Sequence, residues 1–139
     1  MIRAVVDTNV LFEGLTKLGP ASQVVDFWVD QRFAPCVSTA LALEYQEVLE
    51  RKLGPEKRSQ ALKALQALLM RAEYVPIRFS YRPASPDAGD DLVVDCVLNS
   101  RAVLVTSNVR DFRAPSARLR FTVLRPAEFV GLLVENQQP

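Results

Sequence analysis

The chain has 139 residues, 49% of them apolar and 24% charged, with a formal net charge of +1. That is the composition of one globular domain, able to bury about two-thirds of its unfolded surface; it excludes a disordered protein and neither demands nor excludes a nucleic-acid partner. The complete lack of histidine removes Ser-His-Asp and Cys-His catalysis and His-ligated zinc, leaving carboxylates, hydroxyls, Lys/Arg or a bound metal to do any chemistry.

In chain order, residues 2–6 are mainly β-branched and alanine and read as a buried strand. Pro20 opens the first helix, to about Gln31, through Val24, Val25, Phe27 and Trp28. Residues 33–37 form a second strand. Ser38 or Thr39 caps a helix to about Leu53, stopped by Gly54-Pro55, and Pro55 begins another to about Ala72 with Leu62, Leu65, Leu68 and Leu69 on its apolar side. A third strand over 74–79 leads to the one clear loop, Ser80 to Gly89, with Pro83 and Pro86. A helix from Asp90 to about Ser100 precedes strand four over 102–106. Arg110 to Phe112 reads as a turn of helix, 119–124 as strand five, and Pro126 opens a last helix of about ten residues. Residues 1–135 therefore read as one domain and 136–139 as a frayed tail.

Strands alternating with helices predict an α/β fold: a mainly parallel, roughly five-stranded sheet between two helical layers, joined by right-handed crossovers. In such sheets a site lies beyond the C-terminal strand ends, at the point where strand order reverses. Asp7 follows strand one and Asn108 follows strand four. The two cysteines, Cys36 and Cys96, fall in apolar runs and read as buried thiols of a cytoplasmic protein, without a disulfide. No stretch has membrane-spanning length, and the apolar start is too short for a signal sequence.

The acids are placed unusually. Asp7-Thr8-Asn9 ends a buried strand, which suits either a turn cap or a catalytic acid at a sheet edge. Glu44 shares a helical stripe with Leu41 and Val48, whereas Glu47 and Glu50 face away and Glu47 pairs with Arg51 at i,i+4. Asp91 and Asp95 lie one turn apart on a helix that is otherwise apolar around nearly its whole circumference. The helix N-terminus accounts for Asp90 and Asp91 but much less for Asp95. Thr106, Ser107, Asn108, Arg110 and Asp111 follow strand four and offer hydroxyls, a carbonyl oxygen, a cation and a carboxylate. Acids stranded against apolar surface are costly unless their charge is compensated, and with oxygen ligands alone the compensator is a hard divalent cation, Mg²⁺ or Mn²⁺. That points to metal-dependent phosphoryl transfer.

Val-Val-Asp-Thr-Asn-Val-Leu at 5–11, Ser-Thr-Ala-Leu-Ala-Leu-Glu-Tyr-Gln-Glu-Val-Leu at 38–49, and Asp-Asp-Leu-Val-Val-Asp-Cys-Val-Leu ahead of Val-Thr-Ser-Asn-Val-Arg-Asp-Phe together resemble the PIN-domain nucleases. The closest branch in pattern is that of toxin components of bacterial toxin–antitoxin systems. The resemblance runs over essentially the whole chain. It implies a compact α/β/α sandwich and a single-stranded ribonuclease dependent on Mg²⁺ or Mn²⁺. By position it assigns catalysis to Asp7, Glu44 and Asp91, and metal binding to these with Asp95, Asn108 and Asp111. Where many members carry a fourth acid after Thr-Gly, this chain has Asn108, with Asp111 three residues on. Thr8, Asn9, Thr106, Ser107 and Arg110 are the candidates for substrate contact, with Arg82 and Arg113 at the rim. The implied partners are single-stranded RNA, a small antitoxin and a second copy in a homodimer.

Three rivals were weighed on the same residues. A receiver domain needs an acid pair after strand one and a lysine after strand five, where Asp7-Thr8-Asn9 and Arg125-Pro126 stand. A haloacid-dehalogenase-type phosphatase needs a second Asp at the position of Asn9. A PIN domain that binds RNA or protein without cutting fits the departure at Asn108.

Overall fold

A computed structural model describes residues 1–80 and 88–136. Arg82, the prolines of the expected loop and residues 137–139 lie outside the described residues. The strands are β1 (Arg3–Val6), β2 (Ala34–Val37), β3 (Glu73–Tyr74), β4 (Val103–Val105) and β5 (Val123–Leu124), and they form one sheet in the order β3-β2-β1-β4-β5. Every pairing is parallel, with Ala4 opposite Pro35 on one side and Val103 on the other. Strand order therefore reverses between β1 and β4, where Asp7 and Thr106 emerge side by side. The helices are α1 (Thr8–Thr16), α2 (Pro20–Val29), α3 (Thr39–Lys52), α4 (Pro55–Met70), α5 (Ala88–Ser100), α6 (Val109–Leu119) and α7 (Pro126–Asn136). Right-handed crossovers put α1 to α4 on one face and α5 and α6 on the other, the expected three layers.

Two helices are longer than the sequence pattern suggested, and both differences have local causes. Residues 8–16 form α1, for which no helix was expected. Asp7 is its N-cap, Val10 and Leu11 are buried on its inner side, and the backbone N–H groups of both donate to the Asp7 carbonyl. Gly14 lets α2 approach closely: a Cβ there would lie 2.6 Å from the Ala21 carbonyl oxygen and from a Val25 methyl. The turn into α2 passes through Gly19 at φ +149°, a backbone region open to glycine. At the other end of the chain, α6 continues through Pro115 to Leu119, well beyond the expected single turn. Phe112 and Pro115, one turn apart, are both buried, so packing outweighs the one lost N–H donor.

Helix α6 occupies Leu119, which leaves only Val123–Leu124 of the expected fifth strand. Strand β3 is also cut short. The Val75 N–H donates to the Val37 carbonyl at 2.9 Å, but Pro76 has no N–H with which to continue the ladder. Ser38 caps α3 as expected, its side-chain oxygen accepting from the Leu41 N–H at 3.1 Å, and Glu47 pairs with Arg51 at 3.3 Å.

The core is aromatic on the α2 side. Trp28 is fully buried, stands edge-on to Phe33 and Tyr45, and satisfies its indole N–H with the Leu68 carbonyl at 2.8 Å. Cys36 and Cys96 are free, buried thiols, as expected. Burial pushes the Cys96 thiol up from 9.0 to about 12, with the neighbouring Cys36 adding to the rise.

Candidate active site

Asp7 is the first residue beyond β1. Its N–H donates to the Val105 carbonyl at 2.9 Å, fixing it against the end of β4, and its side chain is only 4% exposed. Although Asp7 is the N-cap of α1, its carboxylate makes no capping bond, which removes the turn-cap explanation for this acid. Instead the Thr106 hydroxyl donates to Asp7 Oδ2 at 2.7 Å and accepts from the Asn108 N–H at 3.0 Å. This chain of two bonds crosses the seam where strand order reverses. Thr106 has no exposed surface and its hydroxyl is committed in both directions, so it orients Asp7 and does not touch substrate.

Thr8 was also expected at the substrate. It is 6% exposed, and its Oγ1 has no hydrogen-bond partner among the described residues. A buried hydroxyl without a partner costs about 1–3 kcal/mol, so this atom beside Asp7 suits a polar ligand. Asn9, the next residue, is exposed.

Helix α5 brings two further acids to the same end of the sheet. Arg3 Nε donates to the Ser100 carbonyl at 3.0 Å, pinning the last turn of α5 to the start of β1. Cys96 Sγ lies 3.6 Å from the Cys36 carbonyl of β2, so the helix runs back along the strands. From Ser100 to Asp91 is about 13 Å of helix at 1.5 Å per residue. From Arg3 to Asp7 is about 13 Å of strand at 3.3 Å per residue. Asp91 therefore lies level with Asp7, and Asp95 about one turn lower. Both are buried, at 7% and 5% exposure. The third turn of α5 is latched in place by Asn99, whose Nδ2 donates to the carbonyls of Asp95 at 2.8 Å and Phe79 at 2.9 Å, while its Oδ1 accepts from the Arg78 N–H at 2.9 Å.

Glu44 enters from α3. The buried Tyr45 hydroxyl donates to the Val6 carbonyl, tying the second turn of α3 to the last residue of β1. Burial raises the Tyr45 phenol well above its usual value, and the negative charges of Cys96, Asp7 and Glu44 raise it further. The same phenol thus senses acids from β1 and α3. Glu44 itself is half-buried. The tie through Tyr45 is a positioning contact missed in the sequence, although a tyrosine next to an inward-facing glutamate was its available signal.

The residues after β4 are different in kind. Ser107, Asn108, Arg110 and Asp111 are exposed, Arg113 with them, and Asn108 caps α6 through its backbone without a side-chain bond. Asp111 points from the first turn of α6 and gives its N–H to the Asn108 carbonyl at 3.0 Å. Among the described residues, no three acidic or cysteine side chains stand close enough together to form a ready metal cage. Mg²⁺ does not require one. It keeps several waters and is held by one or two carboxylates together with substrate phosphates. An oxygen-only donor set, with Asp7 oriented by Thr106 and the Thr8 hydroxyl unused beside it, fits such a cation.

The comparisons with known proteins agree with this geometry. The fold is similar to that of VapBC2 from Rickettsia felis, solved bound to a DNA fragment from its promoter, with a TM-score of 0.63 and 15% identity over 89% of this chain and 98% of that one. It is similar also to VapBC-1 from nontypeable Haemophilus influenzae, with a TM-score of 0.56 and 14% identity over 90% and 98% of the two chains. At such identities the likeness is one of fold. No curated protein matches the sequence. Residues 3–110, from the first strand to the start of α6, match the PIN domain, and the chain belongs to the PIN-domain family of nucleases.

Proposed function

We propose that this protein is a divalent-cation-dependent endoribonuclease that cuts single-stranded RNA, and that it serves as the toxin of a toxin–antitoxin pair in the cytoplasm. The observation that carries the nuclease reading is the Thr106–Asp7 bond of 2.7 Å across the β1/β4 seam, level with the buried acids of α5. The fold likeness to VapBC2 and VapBC-1 supports the toxin reading, with a small antitoxin and a second copy of the chain as partners. The unit that acts is residues 1–135.

Asp7, Glu44 and Asp91 would hold Mg²⁺ or Mn²⁺, with Asp95 close behind, and Asn108 and Asp111 at the outer edge. When bound, the cation supplies a Lewis acid that activates water and neutralises charge on the phosphodiester. Thr106 keeps one Asp7 oxygen turned to its own hydroxyl, leaving the other carboxylate oxygen oriented for binding. Tyr45 holds α3, and so Glu44, against β1. Burial of Asp7, Asp91 and Asp95 lowers the local dielectric and strengthens their attraction for a cation. Arg110 sits where it can meet an RNA phosphate from the rim.

The test is degradation of a labelled single-stranded RNA with Mg²⁺ or Mn²⁺. Cleavage is expected, with loss in EDTA and in Asp7→Asn or Asp91→Asn. Melting provides a second readout, because a cation that binds only the folded chain raises its Tm. One observation favours a second reading, a PIN domain that binds without cutting: Asn108 replaces an acid, and no three-acid cluster occurs among the described residues. RNA that is retained but never cut under either cation decides for it.

A further inference from the structure

A cavity of about 250 Å³ lies beside the acidic seam, where the α1–α2 turn meets the start of α7. Its polar lining consists of Lys17, Arg125, Ser107 and Glu13, and its apolar walls include Leu18 and Pro126. Leu18 is 99% exposed and packs on nothing that would explain an apolar residue there. Lys17 is exposed and has no ion pair among the described residues, while Arg125 lies 3.9 Å from Glu128 with its side chain still 60% exposed. Helices α2 and α7 both begin at this cavity, with Pro20 and Pro126 as their first residues, and their positive ends add to the cationic field. Against these stand the carboxylate of Glu13 within the lining and that of Glu128 beside it.

Resting on the ribonuclease reading above, we infer that this cavity is a subsite for one unstacked nucleotide of the RNA strand flanking the cleavage position. Lys17 and Arg125 meet its phosphate, Leu18 and Pro126 pack on the base, and Glu13 faces the base's hydrogen-bond donors. The position is right for this. Ser107 adjoins Thr106, the residue that orients Asp7, and α1 runs from Asp7 directly to Lys17, about 15 Å at 1.5 Å per residue. A strand laid along α1 therefore passes from the acids to the cavity within a few nucleotides. The size fits as well, because sites for drug-sized ligands begin at about 300 Å³, leaving room here for one nucleotide and no more. A base can enter only if it is unpaired and splayed from its neighbours, so the subsite selects single strands.

The test measures binding, not cleavage. Asp7→Asn protein in EDTA is titrated with a fluorescent single-stranded RNA, with and without Lys17→Ala and Arg125→Ala, and with a blunt RNA duplex as a second probe. Both lysine and arginine are exposed, and circular dichroism checks that each variant is folded. The double variant is expected to weaken single-strand binding about tenfold and to reduce the slope of log K against log salt by about 1.4, from ~0.7 per phosphate contact. Duplex binding should change less than twofold. Equal losses on both probes would mean a general surface-charge effect and overturn the subsite, as would an unchanged slope or no RNA binding at all. If the chain with Asp7 intact binds RNA but does not cut it, the ribonuclease reading fails while the subsite stands.

Discussion

The two sides of the cleft are built to different rules. On the inner side, Asp7, Asp91, Asp95 and Thr106 are each no more than 7% exposed and are fixed by strand ends, a helix and a hydroxyl. On the outer side, Ser107, Asn108 and Asp111 stand in solvent. A buried carboxylate imposes a desolvation cost that the fold must offset, so its presence asks for a reason. An exposed side chain imposes almost none, so an asparagine can replace an acid at position 108 without consequence for folding. The departure from the family pattern thus falls where the structure tolerates it best.

Substitutions that walk outward from the seam will sharpen that contrast. Asp7→Asn keeps the shape and removes the charge; RNA cleavage should fall by about 10²–10³-fold or more, the scale of losing a charge-stabilising group. Thr106→Val removes one donor from Asp7 and the acceptor of the Asn108 N–H, so cation affinity or activity should drop about 10–100-fold. Its melting should also reveal a loss of about 1–3 kcal/mol, while Thr106→Ser should restore both. Asn108→Ala should alter cleavage by less than about threefold, as for a solvent-screened group. Asp111→Asn should leave stability within about 0.5 kcal/mol and activity unchanged. A large effect at position 108 or 111 with a small one at 106 would invert the order and break the comparison.

A pH series tests the interior in a different way. Cys96 ionises at about 12 in the folded chain against 9.0 when free. Above pH 9 the unfolded chain releases a proton that the folded chain retains, so stability present below pH 9 is lost as pH rises towards 12. The raised Tyr45 phenol acts in the same direction. Chemical denaturation at pH 8, 9.5 and 11 should give falling midpoints, and native Cys96 should resist alkylation at pH 8.

Much of this arrangement was legible in the residues. Apolar runs closed by polar clusters placed the strands of the seam, and a helix apolar around most of its circumference singled out Asp91 and Asp95. The chain of bonds through Thr106 was not legible, because a threonine after a strand looks alike whether it faces substrate or a neighbouring carboxylate. Helix α1 was hidden by Asp-Thr-Asn, which reads as a turn although Asp7 is in fact an N-cap. Helix α6 was hidden by Pro115, whose burial beside Phe112 only the folded chain reveals.

The Asn99 amide has a consequence for how the molecule ages. Its nitrogen faces the oxygens of Asp95 and Phe79, so hydrolysis to aspartate would set a negative oxygen against two others. The clasp between α5 and the segment at residues 78–79 would turn from attraction to repulsion by a change of one atom, beside the helix that carries half of the acids.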